Sequence, residues 1–154
     1  MTDVPASVEE LDAAEAVIDA WLDRLQQEEP EWVAAVDRGE PGQRRWYVRL
    51  RGEEKDFTTV WFTLQQRTLA YETYVMPAPE ENEAELYEHL LRRNRKLYGV
   101  AFTIGDEDAV FLVGQLPVAL VCEPELDRVL GTVFATVEQC FRPALRIGFR
   151  SRFS

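Results

Sequence analysis

Hydrophobic residues recur along this chain at two spacings, three to four residues in some segments and two residues in others. The wider spacing runs from Val8 through Ile18 to Leu25 and is typical of an amphipathic helix. Ser7 and Glu10 match the capping box that starts a helix, because each side chain can bind the backbone amide of the other. The sequence therefore predicts a first helix that ends before Pro30.

Two further segments have helical spacing. The second helix is predicted to begin at Asn82, a candidate cap with Glu85 as its partner, and to end before Gly99. The third has the strongest hydrophobic stripe, and Pro124 suits its first turn. The stripe comprises Leu126, Val129, Leu130, Val133, Phe134, Val137 and Phe141. Beyond Pro143, hydrophobic residues alternate with arginines, which predicts an extended segment docked on the domain.

The two-residue spacing, together with β-branched and aromatic residues, predicts five strands. These strands are residues 45–51, 57–65, 69–76, 100–104 and 109–114. Short polar turns separate the first three, so they are predicted to form an antiparallel meander. Pro117 cannot donate a ladder hydrogen bond, and residues 116–122 are therefore predicted to be an irregular or edge crossing.

The order of these elements defines an α+β fold class. It runs helix, three-stranded antiparallel meander, helix, two strands and C-terminal helix. Residues 30–43 are predicted to be a connector with a short helical turn, because Gly39, Pro41 and Gly42 break regular structure. The chain has 154 residues, of which 46% are hydrophobic, and this favours a single domain over residues 1–154.

Four segments carry a resemblance to a known family. They are RTLAYETYVMPAP at 67–79, LLRRN at 90–94, LYGVAFTIGDEDAVFLVGQLP at 97–117 and ELDRVLG at 125–131. In this order they resemble the YbjN family, and more narrowly its actinobacterial members, which are grouped by fold with type III secretion chaperones. The resemblance implies a small secretion-chaperone-like domain that dimerises and holds peptide segments of other proteins without a catalytic centre.

Charge and hydropathy disfavour several classes of partner. The chain has 28 acidic residues against 17 basic ones and a net charge of -11, which repels phosphate backbones and anionic membranes. We therefore expect neither a nucleic-acid nor a membrane partner. The longest apolar stretch, residues 109–122, is shorter than the roughly 20 residues that cross a bilayer. The first residues lack the basic-then-apolar order of a secretion signal, so the expected location is cytoplasmic.

Few residues form a pattern that supports chemistry. The three serines lie near the termini, away from any candidate base. His89, the sole histidine, could share a cation with Glu85, but Arg92 and Arg93 follow one turn later and would repel it. The acidic residues 106–108 lack the spacing of a calcium loop and predict a turn. We expect no enzyme activity, no catalytic residue, no metal and no cofactor.

The sequence and the resemblance together favour a non-enzymatic, chaperone-like module that binds a peptide or protein client. Tyr47, Phe57 and Trp61 are the contact candidates, although burial under the first or third helix is the favoured alternative for Trp61. A client could add to a strand edge or lie across the outer sheet face. The arginines of the first predicted strand are explained by a solvated strand face, and their better functional use would be an acidic client.

A homodimer is expected, with hydrophobic residues of the crossing and the third helix at its interface. The candidates are Leu116, Val118, Leu120, Phe134 and Phe141. Two other functions stay open. One is a regulatory or scaffolding protein that recognises a folded partner, and the other is a small-molecule enzyme that uses scattered carboxylates and arginines.

Overall fold

A computed structural model describes residues 4–153 of the chain. Its three α-helices are α1 (Val8–Glu28), α2 (Glu83–Asn94) and α3 (Glu123–Gly148). Its six strands are β1 (Val33–Arg38), β2 (Arg45–Arg51), β3 (Phe57–Leu64), β4 (Thr68–Met76), β5 (Ala101–Ile104) and β6 (Val110–Pro117). Short 3₁₀ turns occupy Asp106–Asp108, Val118–Leu120 and Arg150–Phe153.

The strands form one antiparallel sheet in the order β1-β2-β3-β4-β6-β5. Successive hairpins build the meander from β1 to β4, and the chain then passes through α2 before it returns as β5. The last strand, β6, lies between β4 and β5, with Leu116 opposite Leu69 and Leu112 opposite Phe102. The predicted α+β architecture is confirmed, with one strand more than expected.

The core fills the space between one face of this sheet and the helices. Trp21 of α1 and Phe62 of β3 are fully buried, and their rings meet edge to face with centroids 5.7 Å apart. The buried indoles keep their hydrogen bonds, since Trp21 Nε1 donates to Asp127 at 2.8 Å and Trp46 Nε1 donates to Asp19 at 2.8 Å. These bonds attach α1 both to α3 and to β2.

The segment predicted as a connector contains strand β1, so that prediction is wrong for residues 33–38. Its sequence shows little alternation, but it pairs with β2 along most of its length, with a register shift between Val33 and Ala35. Val33 is buried and Val36 is half-buried against the core. Backbone pairing and two valines therefore decide a conformation that the side-chain pattern does not reveal.

The predicted extended tail beyond Pro143 is also wrong, because α3 continues through this proline to Gly148. Ala144 is fully buried, and the backbone of Gly148 packs so closely that a Cβ there would lie 3.0 Å from Pro79. A proline inside a helix loses one hydrogen bond. Packing of the last turns against the domain outweighs that loss.

The helix starts and the predicted crossing have mixed outcomes. The Ser7 and Glu10 capping box is present in both directions, at 3.1 and 3.0 Å. Asn82 is the N-cap residue of α2 as predicted, but its side chain does not cap the helix: Asn82 has φ 55°, and its Nδ2 donates to the carbonyl of Ile147 at 3.0 Å. The crossing prediction is wrong for residues 116–117, which end the interior strand β6, because Pro117 occupies the last strand position, where the ladder stops.

Candidate binding surface

The face of the sheet that points away from the helices is open. Alternation along β2 buries Trp46, Val48 and Leu50 and turns the intervening side chains outward. Along β3 the buried positions are even-numbered, which places Trp61 on the same outer face as Tyr47. The favoured alternative for Trp61 is therefore wrong, since its buried neighbours Val60 and Phe62 face the helices and Trp61 does not.

All three predicted contact residues lie on this outer face. Tyr47 and Trp61 are half-buried register partners with ring centroids 5.0 Å apart. The guanidinium of Arg45 stacks over the Trp61 ring at 4.6 Å, and that of Arg49 stacks over the Phe57 ring at 4.1 Å. The two strands thus bring alternating rings and cations into one surface, which we call the outer aromatic face: Arg45, Tyr47, Arg49, Phe57 and Trp61.

Sequence reasoning missed a second ring pair beside the outer aromatic face. Tyr74 of β4 and Phe111 of β6 meet edge to face with centroids 5.7 Å apart. Lys55 contacts Tyr74 of this pair and Phe141 of α3, with Nζ 5.8 Å from each ring centroid. The pairing of β4 with β6 creates this contact, and the signal available in the sequence was one outward aromatic in each strand.

Electrostatics distinguishes this corner of the sheet. Burial lowers the pKa of the Lys55 ammonium, and the nearby charge of Arg49 lowers it further, while Asp56 acts in the opposite direction. Burial also raises the pKa of the Tyr74 hydroxyl, to which Glu107 adds. Both shifts are typical of side chains packed against apolar neighbours.

Arg45 and Arg49 differ from most arginines of this acidic chain. Eight arginines among residues 4–153 form ion pairs, namely Arg24, Arg38, Arg44, Arg92, Arg128, Arg142, Arg150 and Arg152. Within the same range, no carboxylate lies at ion-pair distance from Arg45 or Arg49, and both are exposed. Their charges are therefore held in place by aromatic rings and stay open to a partner.

The two edges of the sheet are partly closed by side chains. At the β5 edge, the Asn94 amide binds both backbone groups of Phe102: Nδ2 donates to its carbonyl at 3.2 Å, and Oδ1 accepts its N–H at 2.7 Å. At the β1 edge, the Asp37 carboxylate accepts the N–H of Arg38 at 2.8 Å. Such caps remove backbone groups that an added strand would need.

An apolar groove lies next to the β5 edge and is the main rival to the outer aromatic face. It has a volume of about 320 Å³ and is lined by Tyr87, Leu90, Leu91, Phe102, Thr103 and Ile104. Leu91 and Ile104 are more than half exposed there. Exposed hydrophobic side chains of this kind mark a possible contact surface.

The five candidates for a dimer interface are placed very differently. Leu116 and Val118 are buried in the core of the chain itself, whereas Leu120 is 55% exposed. Phe134 is half-buried against Trp32, with ring centroids 5.3 Å apart. Phe141 is half-buried beside Lys55. The interface stays a prediction, and Leu120, Phe134 and Phe141 are its accessible members.

The described residues hold no group of three His, Cys, Asp or Glu side chains arranged to bind a metal. His89 of α2 is half-buried, and its Nε2 is enclosed without a hydrogen-bond partner. Over residues 4–153, every helix is too short or too polar to cross a lipid bilayer.

Comparisons with known proteins place the chain in context. The family model of YbjN, described as "Putative bacterial sensory transduction regulator", matches residues 15–146. Uncharacterized protein Rv0487 of Mycobacterium tuberculosis is 40% identical over 104 residues, which are 68% of this chain and 57% of that protein. Uncharacterized protein ML2442 of Mycobacterium leprae is 37% identical over 110 residues, which are 71% of this chain and 60% of that protein. The matches thus span less than two thirds of these relatives.

Two solved structures were found to be similar, and the one with the higher TM-score shares the fold of this chain. A chain in the complex of the Yersinia pestis type III secretion chaperone SycH with a fragment of YscM2 superposes with a TM-score of 0.53 at 16% identity, over 80% of this chain and 96% of that one. A chain of the ExoU-SpcU complex of the Pseudomonas aeruginosa type III secretion system has a TM-score of 0.48 at 13% identity, over 63% and 84%. The first superposition confirms the predicted secretion-chaperone-like fold.

Proposed function

The chain belongs to the YbjN family and shares its fold with a type III secretion chaperone, and from this premise we propose that it is a non-enzymatic module that binds segments of other proteins. The outer aromatic face is the binding surface. One observation carries the proposal: aromatic rings and arginines without an ion pair in the described part of the chain are gathered on the sheet face that points away from the helices. Aromatic residues and arginine are the types that contribute most to protein interfaces.

The structure favours binding across the face over addition of a strand at an edge. Asn94 and Asp37 already bind backbone groups of the two edge strands. A client that added to β5 would have to displace the Asn94 amide from Phe102 and replace the two hydrogen bonds lost there. A client on the face breaks no backbone hydrogen bond of the sheet.

A peptide array followed by measurement of affinity in solution tests this proposal. Overlapping peptides from proteins encoded beside this gene are probed with the purified chain, and positives are titrated by fluorescence polarisation. We expect Trp61→Thr and Tyr47→Thr to weaken binding at least about tenfold, since threonine keeps the strand propensity but removes the ring. Ile104→Thr in the β5 groove is the matched control and should leave the affinity unchanged. Binding that is lost in the control and kept in the face variants would contradict the proposal.

We also propose that the chain forms a homodimer. We propose the cytoplasm as the place where this dimer acts. Leu120, which is 55% exposed, and the half-buried rings of Phe134 and Phe141 are its accessible interface residues. We expect light scattering over a range of concentrations to give a mass of twice 17.8 kDa, with Leu120→Ser shifting the chain to monomer. A monomer at every concentration would remove the dimer from the proposal.

A regulatory role is the second candidate, favoured by the family description as a sensory transduction regulator. A regulator would recognise a folded partner. The peptide array separates a module that binds linear segments from a regulator that recognises a folded partner. A partner that binds only as a folded domain would give no signal with any of its linear peptides.

A further inference from the structure

We infer that the segment bound by the outer aromatic face is acidic and extended, with two carboxylates four residues apart and an apolar residue midway between them. This inference rests on the proposed function and specifies the chemistry of its client. It follows from the order of side chains along β2, from the free edges of two guanidinium groups and from the position of two carboxylates on the same face.

The order of side chains along β2 sets the spacing. Arg45, Tyr47 and Arg49 are successive outward positions of one strand. At a rise of about 3.3 Å per residue, the two arginine Cα atoms are roughly 13 Å apart. An extended client has the same repeat, so its side chains at positions i, i+2 and i+4 point to the same surface. Such a client can place an acidic, an apolar and an acidic side chain over these three residues.

The two guanidinium groups are ready to bind carboxylates. Each lies over a ring of β3, Arg45 over Trp61 and Arg49 over Phe57, which restricts the side chain without using its N–H donors. Neither group has a carboxylate partner among residues 4–153. A carboxylate that approaches in the plane of the guanidinium group can accept two N–H bonds from it.

The carboxylates of this face determine the direction of the client. Asp37, Tyr47, Trp61 and Glu72 lie in one row across the strands, with an acid at each end. An acidic client that lay along this row would meet Asp37 and Glu72, whereas one that runs along β2 meets an arginine at each end. Asp37 is also partly engaged, since its carboxylate accepts the N–H of Arg38 and lies 3.5 Å from the Tyr47 hydroxyl.

The net charge of -11 opposes an acidic client at long range. At physiological ionic strength, however, charges separated by more than about 8 Å are largely screened. Contacts with Arg45 and Arg49 act within this distance and therefore dominate once the segment is seated.

Labelled peptides of defined charge spacing test the inference at about 150 mM salt. The probe is a fluorescein-labelled peptide with glutamates at i and i+4 and leucine at i+2 in a polar background. We expect it to bind at least about tenfold more tightly than the same peptide with glutamines. We also expect it to bind more tightly than a peptide whose second glutamate is moved to i+3, because that glutamate side chain then points away from the sheet.

Protein variants assign the effect to the two arginines. Arg45→Gln and Arg49→Gln should each weaken the glutamate peptide about three- to tenfold and leave the glutamine peptide unchanged. Arg95→Gln, an exposed arginine at the end of α2, is the matched control and should change neither affinity. The double variant with Arg45→Glu and Arg49→Glu should bind a peptide with lysines at i and i+4 more tightly than the unmodified chain binds it.

The outcomes separate this inference from the proposed function. Equal affinity for glutamate and glutamine peptides, lost in Trp61→Thr, would overturn the acidic client and leave the binding face in place. Preference of the unmodified chain for the lysine peptide would overturn it as well, and would point to Asp37 and Glu72. Failure of every array and designed peptide to bind would overturn both.

Discussion

The two faces of the sheet are built from the same strands and differ in what their side chains do. On the inner face Phe62 is fully buried, while on the outer face Phe57 of the same strand is 39% exposed and covered by Arg49. The inner face contributes hydrophobic burial, which stabilises the fold. The outer rings are not required to close the core, and their arrangement with unpaired arginines is therefore the better indicator of function.

The largest effect should come from truncating matched phenylalanines on the two faces. Phe62→Ala removes a ring packed against Trp21 and Tyr71 and should lower the free energy of unfolding by about 3–5 kcal/mol. Phe57→Ala should lower it by less than about 1 kcal/mol. Urea denaturation measures both, and equal losses would end the distinction between the faces.

A smaller effect should follow from adding a methyl group to the inner face. A Cβ at Gly114 would overlap the carbonyl oxygen of Gly99 and the ring of Tyr71, whose hydroxyl donates to that carbonyl at 2.8 Å. We expect Gly114→Ala to cost about 1–3 kcal/mol in thermal or urea unfolding. Gly131→Ala on α3 is the control, because a Cβ there has open space and helix propensity favours alanine. Stabilisation by Gly114→Ala would show that the inner face is looser than described.

The edge cap should have a smaller and more local effect. Asn94→Ala leaves the N–H and the carbonyl of Phe102 without their partner, so hydrogen exchange of the Phe102 amide should accelerate about tenfold. Asn94→Asp keeps the acceptor for that N–H and should retain most of the protection. If Asn94→Ala exchanges at the original rate, the β5 edge is not closed by this residue.

The arginines of the outer face should affect stability least. Arg45→Gln and Arg49→Gln each remove one exposed stacking contact, and we expect losses of about 0.5–1 kcal/mol in urea unfolding. Losses above about 2 kcal/mol would mean that these residues serve the fold, and would weaken the case that they serve a partner.

The sequence predicts the inner face well and the outer face only in part. Strict alternation in β2 separates Tyr47 from Trp46, but β3 has hydrophobic or β-branched residues at every position, so the side of Trp61 cannot be decided from spacing. The pair formed by Tyr74 and Phe111 depends on the insertion of β6 beside β4. Only a three-dimensional arrangement brings such distant residues together.

Two elements were mispredicted because tertiary contacts outweigh local signals. Strand β1 forms by pairing with β2, although its own sequence lacks alternation. Helix α3 tolerates Pro143, because Ala144 and Gly148 pack tightly after it. The cap at Asn82 fails for a related reason, since its side chain binds the end of α3. Local patterns thus miss an element that forms mainly by pairing, and they misplace the end of a helix that tertiary packing extends.

The indole signals of a ¹H–¹⁵N spectrum test the central claim most directly. Trp21 and Trp46 are buried and donate their indole N–H groups to Asp127 and Asp19, whereas Trp61 lies on the outer face. On titration with a peptide selected from the array, we expect the Trp61 indole and the Tyr47 and Phe57 amides to shift while the Trp21 and Trp46 indoles stay in place. Shifts confined to the groove at Leu91 and Ile104, with an unmoved Trp61 indole, would contradict the account.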